Sequence, residues 1–104
     1  MEYKIINVYA QAKIIVDNKD EYIKLLKLEP SSHLDTKWSV INEFANPMMY
    51  KKYNNTGING SASITRYGTI MLNGVRNVED VGPLYVLVEK DLKRAGVKYV
   101  DSNM

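Results

Sequence analysis

Apolar and polar residues alternate over residues 5–15. Every even position from 6 to 14 is apolar, and polar or amphipathic residues stand between them. A period of two over this length predicts a β-strand with one buried face and one solvent-facing side. The solvent-facing side bears Asn7, Tyr9 and Gln11.

A short helix is predicted after this strand. Asn18 is followed three residues later by Glu21, which resembles a capping box, and an apolar stripe containing Tyr22 and Leu25 comes next. Pro30 limits the helix to about ten residues. A helix this short is stable only when it packs on something else, so we expect it to lie on the apolar face of the first strand.

The middle of the chain predicts four antiparallel strands. They cover residues 38–44, 48–53, 61–67 and 69–74. Pro47 is expected to end the first of them, and residues 54–60 (NNTGING) to form a mobile hairpin loop. Gly68 joins the last two tightly. In the final strand, Ile70 and Leu72 face one way, and the residues that alternate with them face the other way.

A longer helix is predicted near the C-terminus. Its apolar positions fall on one helical face and are Leu84, Leu87, Val88, Leu92 and Ala95. Pro83 is tolerated only in a first turn, so regular helix is expected from about Gly82, with Gly96 just past its end. Residues 97–100 are a candidate edge strand. The chain is thus predicted to be α+β, with two helices on one face of an antiparallel sheet of four to five strands.

Length and composition favour one domain spanning residues 1–104. The chain is 45% hydrophobic and 25% charged, which is typical of a globular protein. No apolar run approaches the roughly 20 residues that cross a bilayer, and no secretory signal is evident, so no membrane contact is predicted. The absence of cysteine excludes a disulfide framework. An intracellular, cytoplasmic location is the simplest interpretation.

Charge is distributed unevenly along the chain. Residues 1–36 carry five lysines and six acids, and residues 77–104 carry four basic and five acidic groups, so each segment has a net charge of −1. Residues 37–76 carry five basic groups against Glu43 alone, a net charge of +4. If this segment forms one surface, it favours an anionic partner.

Catalytic and metal-binding constellations are missing from the sequence. His33 is the one histidine and lies in a turn, and without cysteine no metal site is predicted. Two acidic pairs, at 17 and 20 and at 79 and 80, lie at predicted helix N-termini, where carboxylates are favoured for electrostatic reasons. We therefore predict a protein that is not an enzyme and has no cofactor.

Two segments resemble one repeat of the TATA-box-binding protein family. The first is IINVYAQA (5–12), beside the family pattern I-x-N-I-V-A-T. The second runs from residue 62 through YGTIMLNGVRNVED (67–80) into the helix that ends at Gly96, beside the pattern S-G-K-x-V-x-T-G-A-K-S-E-E-D. The predicted order β-α-β-β-β-β-α is also that of the family repeat. The resemblance implies a curved sheet whose concave face binds the minor groove of double-stranded DNA, in a transcription-related role.

The resemblance also implies site residues. Asn7 and Gln11 correspond to groove-contacting positions, and Trp38 and Thr65 to two wedge positions that kink the duplex. Basic side chains would contact phosphates. The full set expected to bind nucleic acid is Asn7, Tyr9, Gln11, Lys13, Trp38, Lys51, Lys52, Thr65, Arg66, Met71 and Asn73. Because the family has two fused repeats and this chain has one, a homodimer paired edge to edge through the first strand is expected.

Simpler interpretations stand beside these. The amide-bearing strand face is equally consistent with an ordinary solvated sheet face, and Trp38 with a core residue. The run YKKYNN (50–55) mixes aromatic residues with lysines, as single-strand binders do, but a lysine-protected hairpin edge has the same pattern. The alternative function is a small protein–protein interaction module, such as a phage or viral accessory protein that binds host machinery. An enzyme with an unrecognised site is a third hypothesis.

Overall fold

The structure, a computed structural model, describes residues 4–6, 9–16, 19–30, 36–43, 46–53, 60–75 and 77–101. Its strands are β1 (Lys4–Ile6), β2 (Tyr9–Val16), β3 (Ser39–Glu43), β4 (Asn46–Tyr53), β5 (Gly60–Thr65), β6 (Thr69–Asn73) and β7 (Tyr99–Asp101). Its α-helices are α1 (Ile23–Leu26) and α2 (Val81–Arg94), and each follows a 3₁₀ turn, at Lys19–Tyr22 and Val78–Asp80.

The strands form an antiparallel sheet in the order β1-β2-β6-β5-β4-β3. The seventh strand, β7, pairs with the C-terminal half of β2, with Val100 opposite Ile15. The predicted α+β class with an antiparallel sheet is confirmed. The predicted number of four to five strands is too small, because the first predicted strand is divided into β1 and β2. The candidate edge strand at residues 97–100 is observed as β7.

The N-terminal alternation belongs to two strands rather than one. Strand β1 pairs antiparallel with β2, so Ile6 lies opposite Tyr9 and Ile5 opposite Ala10. In this register Ala10 pairs with Ile5 and not with Ile6, so the even-numbered positions of the single predicted strand do not stay in phase across β1 and β2. The alternation has the same period in both strands, so the pattern does not reveal where the chain reverses direction.

Both helices pack on one face of the sheet. From the strands, the side chains buried there include Ala10, Ala12, Ile14, Ala62, Ile64, Ile70 and Leu72. From the helical segments they include Tyr22, Leu25, Val81, Leu84, Tyr85, Val88 and Leu92. Each fully buried Leu, Ile or Val contributes about 1.5–3 kcal/mol relative to exposure, so this layer dominates the stability of the fold. The expected placement of both helices on one face is confirmed.

The helices differ from their predicted lengths in opposite ways. The first helical segment has one 3₁₀ turn and one α-turn, shorter than the helix of about ten residues that Pro30 allowed. The second begins at Val81, one residue before the predicted start, and Pro83 lies exposed in its first turn. Gly96 follows its end with φ +77°, a left-handed conformation that glycine adopts without a steric penalty.

The hairpin β3–β4 corrects the predicted role of Pro47. Strand β3 ends at Glu43, β4 begins at Asn46, and Pro47 lies within β4 opposite Asn42. Proline lacks the N–H that a central strand would need for pairing on both sides. Pairing between β4 and β5 extends only as far as Met48, so no neighbour on that side requires the missing donor.

The β5–β6 connection forms as predicted. Gly68 has φ +89°, and its carbonyl oxygen accepts a hydrogen bond of 2.9 Å from the Ile14 amide of β2. A Cβ at this position would clash with the Ile14 carbonyl oxygen. Glycine is therefore required both by the backbone conformation and by the close approach of β2. The predicted loop lies mostly outside the described residues, which resume at Gly60, opposite Tyr53.

Candidate nucleic-acid interface

The second face of the sheet carries a different set of side chains from the helix-packed face. We call it the outer face and define it by the eleven residues that alternate with core positions where β2, β6, β5 and β4 pair with one another. They are Gln11, Lys13, Met48, Tyr50, Lys52, Ser61, Ser63, Thr65, Thr69, Met71 and Asn73. In the part of the chain that the structure describes, no helix packs on this face.

Strand register arranges the outer face in three rows. One end row runs through Lys13, Thr69, Thr65 and Met48. The middle row runs through Gln11, Met71, Ser63 and Tyr50. The other end row runs through Asn73, Ser61 and Lys52. The two lysines therefore lie at opposite corners, ~20 Å apart by standard strand spacing and rise.

Exposure varies across these rows. Lys13, Lys52 and Asn73 are exposed at the corners. Met48, at the fourth corner, is 7% exposed and Ser63, in the middle row, is 6% exposed, although neither lies on the helix-packed side. Tyr50 is half-buried. Polar groups are therefore exposed at three corners of the face, and small or apolar side chains are buried at the fourth corner and in the middle row.

The accessible charge at this face is positive. Its eleven residues include two lysines and no acid. Arg66 adds a third exposed cation in the β5–β6 turn, where its guanidinium lies 4.9 Å from the centre of the Tyr67 ring. None of these three cations forms an ion pair with an acid among the described residues. Such a surface attracts a polyanion, and the attraction is screened by salt.

Two predicted contact residues lie on the wrong side of the sheet. Lys51 is 3% exposed on the helix-packed side, where its Nζ lies 3.0 Å from Asp91 Oδ2. Trp38 is also buried, and its Nε1 donates to the same oxygen at 3.0 Å. The expected phosphate contact of Lys51 and the expected wedge at Trp38 are therefore wrong. The core interpretation of Trp38 is confirmed.

Asp91 is the residue that sequence analysis missed. Its Oδ2 accepts hydrogen bonds from Trp38, Lys51 and Tyr53, the last at 2.7 Å, and its Oδ1 accepts one from Arg94 at 3.1 Å. A signal was present, because Asp91 occupies the apolar stripe of α2 three residues after Val88. The carboxylate joins α2 to β4 and to the segment before β3, so its role is structural.

Aromatic contacts reinforce this buried cluster. The Lys51 ammonium lies 4.7 Å from the centre of the Tyr53 ring, within the range of a cation–π interaction. Trp38 and Tyr53 pack edge to face with ring centres 6.3 Å apart, a favourable aromatic geometry. The positive charge of Lys51 is thus held inside the protein and adds nothing to the outer face.

The remaining predicted residues fall into three groups. Gln11, Lys13, Lys52, Met71 and Asn73 lie on the outer face. Thr65 also lies there, and its Oγ1 accepts hydrogen bonds from the Tyr67 and Thr69 amides, so it stabilises the β5–β6 turn. Tyr9 lies in β2 at a register position on the same side, whereas Asn7 lies outside the described residues, as do the turn with His33 and the predicted helix cap at Asn18.

The predicted dimer edge is corrected by the sheet order. Strand β2 is not an edge strand, because β6 pairs with one side of it and β1 with the other. A second copy could not pair directly with β2 without displacing β1. The outer strand on this side is β1, with only three residues.

Metal-binding and membrane-spanning features are absent from the described residues. No group of three or more His, Asp or Glu side chains there is placed to hold a metal ion. No described helix combines the length and hydrophobicity needed to cross a bilayer.

Comparison with protein-family models finds no match to this chain. Comparisons with characterised proteins and with solved structures find none either.

Proposed function

We propose that this protein is a non-enzymatic nucleic-acid-binding module that contacts its ligand through the outer face. The observation that carries the proposal is the placement of Lys13, Lys52 and Arg66, exposed around the eleven outer-face residues, none of which is an acid. The helices occupy the opposite face, so in the part of the chain that the structure describes one side of the sheet packs against helices and the other does not. Phosphates are the anions that such spaced cations recognise along a chain.

Neutral polar groups support the same proposal. Gln11 and Asn73 carry amide groups, and Ser61 and Thr69 carry hydroxyls, all able to donate to base edges or to sugar and phosphate oxygens. Gln11, Ser61 and Thr69 lie between the two lysines at opposite corners of the face, and Asn73 lies at a third corner. The finer proposal, a fold related to one repeat of the TATA-box-binding protein family with a role in transcription, rests on the two resembling segments. A homodimer would then form by an arrangement other than pairing through β2.

The test is a binding titration followed by fluorescence anisotropy. Labelled duplex DNA, single-stranded DNA, RNA and a DNA–RNA hybrid are each titrated with protein at several salt concentrations. With three phosphate contacts, log K should fall against log[salt] with a slope of roughly −2 to −3. Lys13→Glu and Lys52→Glu should each weaken binding and make that slope shallower.

The matched control is Lys90→Glu, which makes the same charge change at an exposed residue of α2, on the helix-packed side of the sheet. It should bind nearly as tightly as the wild type. If no nucleic acid binds at low salt, the proposal fails. If Lys90→Glu and Lys52→Glu weaken binding equally, net charge rather than the outer face is responsible.

A protein partner is the second candidate, and one observation favours it. Ile15 is 52% exposed and lies opposite Val100, which is 62% exposed, and exposed Tyr67 is in the turn next to the Ile14–Gly68 hydrogen bond. Apolar exposure of this kind is typical of protein contact sites. This candidate predicts one stoichiometric protein partner that survives nuclease treatment and is lost in Ile15→Lys.

A further inference from the structure

Strand β4 separates the residues of its YKKY run between the two faces of the sheet. Tyr50 lies opposite Ser63 and Lys52 opposite Ser61, which places both on the outer face. Lys51 and Tyr53 are buried on the helix-packed side. One aromatic side chain and one exposed lysine therefore remain available, two residues apart on the same strand.

The surroundings of Tyr50 distinguish it from the other aromatic residues. Its cross-strand neighbours on both sides are serines, Ser39 on β3 and Ser63 on β5, so no large side chain stands directly opposite the ring. Tyr50 is half-buried, whereas Tyr53, Trp38 and Tyr85 are buried in the core. Tyr9 of β2 has a register position on the same side of the sheet, but Tyr50 is the aromatic residue that shares its strand with the exposed Lys52.

We infer that the outer face takes an unpaired nucleotide, whose base stacks on Tyr50 and whose phosphate contacts Lys52. Alternate residues of a strand are ~6.8 Å apart, close enough for one nucleotide to reach both side chains. A base inside a duplex is covered on both faces by its neighbours, so an aromatic ring reaches a base face only where the strand is unpaired. The inference rests on the proposed function and narrows its ligand to single-stranded nucleic acid.

The rest of the outer face extends this site. Lys13 lies at the corner ~20 Å from Lys52, so a strand crossing the face between them would span several nucleotides. That length falls in the range of about 4–16 nucleotides bound by other sheet-based single-strand binders. Met71, which is half-buried, provides apolar surface beside the path.

The experiment compares a labelled oligothymidylate of about 12 nucleotides with a duplex hairpin of the same length at equal salt. The single strand should bind more tightly. Tyr50→Leu should weaken its binding by about 5- to 150-fold, while Tyr50→Phe, which retains the aromatic face, should stay within about twofold of the wild type. A strand containing 2-aminopurine should change its fluorescence on binding the wild type but not Tyr50→Leu, because that fluorophore reports stacking.

Three outcomes contradict the inference. Binding of the duplex as tight as binding of the single strand overturns it and leaves the proposed function standing. The same holds if Tyr50→Leu is folded and binds like the wild type. If neither ligand binds, the proposed function fails too. Should Tyr50→Leu not fold, Tyr50→Phe and the comparison of the two ligands with wild-type protein still decide the matter.

Discussion

Removing the carboxylate of Asp91 tests whether the buried cluster holds the helix-packed layer together. In Asp91→Ala, Lys51 loses the carboxylate oxygen 3.0 Å from its Nζ while its side chain stays 3% exposed. Trp38 and Tyr53 lose the same acceptor. A buried charge that loses its counter-ion destabilises far more than an exposed one, because water cannot replace the lost interaction.

The expected size of this effect is a large part of the total stability. Removing one partner of a buried ion pair costs about 3–5 kcal/mol. A domain of this length has a free energy of unfolding of roughly 5–15 kcal/mol. Asp91→Ala is therefore expected to lower the urea midpoint by at least ~1 M and to unfold the protein outright if total stability lies near the lower limit.

Urea denaturation followed by tryptophan fluorescence is the suitable assay, because the one tryptophan, Trp38, lies in the cluster itself. The control is Arg94→Ala, which removes the pair to Oδ1 from a side chain that is 43% exposed and should cost no more than ~1 kcal/mol. Adding Lys51→Met to Asp91→Ala should restore part of the lost free energy of unfolding, because it removes the buried ammonium that has lost its carboxylate at Asp91. The reasoning is refuted if Asp91→Ala lowers the free energy of unfolding no more than Arg94→Ala does. It is also refuted if the effects of Lys51→Met and Asp91→Ala on the free energy of unfolding are fully additive.

Three further predictions concern stability. Gly68→Ala should lower the free energy of unfolding by more than ~2 kcal/mol, because the new Cβ clashes with the Ile14 carbonyl oxygen. Gly96 has a similar φ, but no atom lies within 4 Å of a Cβ added there. Gly96→Ala should therefore lower the free energy of unfolding by only ~1–2 kcal/mol, measured in thermal melts. Burial raises the pKa of the Tyr22 hydroxyl from its ordinary value of 10.0 to about 12. The contribution of the neutral hydroxyl to stability is therefore complete below pH 10.0 and is lost as the pH rises from 10.0 to about 12. Tyr22→Phe should reduce this alkaline loss of stability without destabilising the protein at pH 7. The hydrogen bond from the Lys98 amide, reinforced by Lys24, lowers the pKa of Glu21. The ionised Glu21 carboxylate therefore stabilises the fold above its ordinary pKa, and this stabilisation is lost as the pH falls below that value. The difference in free energy of unfolding between Glu21→Gln and the wild type should disappear in acid.

Local patterns in the sequence determined much of the fold. Period two identified β2 and β6, because one side of each strand packs against apolar neighbours. Turn-forming and proline residues between apolar segments marked the strands β3, β4 and β5. The stripe at Leu84, Val88 and Leu92 identified α2, since helical residues at these spacings share a face. The turn at Gly68 followed from the need for a residue that tolerates positive φ. Each of these signals depends only on residues close together in the chain.

The tertiary structure decided what no local pattern contains. The alternation before residue 16 could not show that the chain reverses between Ile6 and Tyr9, because both strands have the same period. The sequence does not distinguish the two neighbouring lysines of strand β4 from each other. Pairing with β5 shows that Lys52 faces outward and Lys51 faces the core. The Asp91 carboxylate, which accepts a hydrogen bond from Lys51, is 40 residues away along the chain. A charged residue is stable in the core only with its partner, and which residues become partners depends on how the whole chain folds.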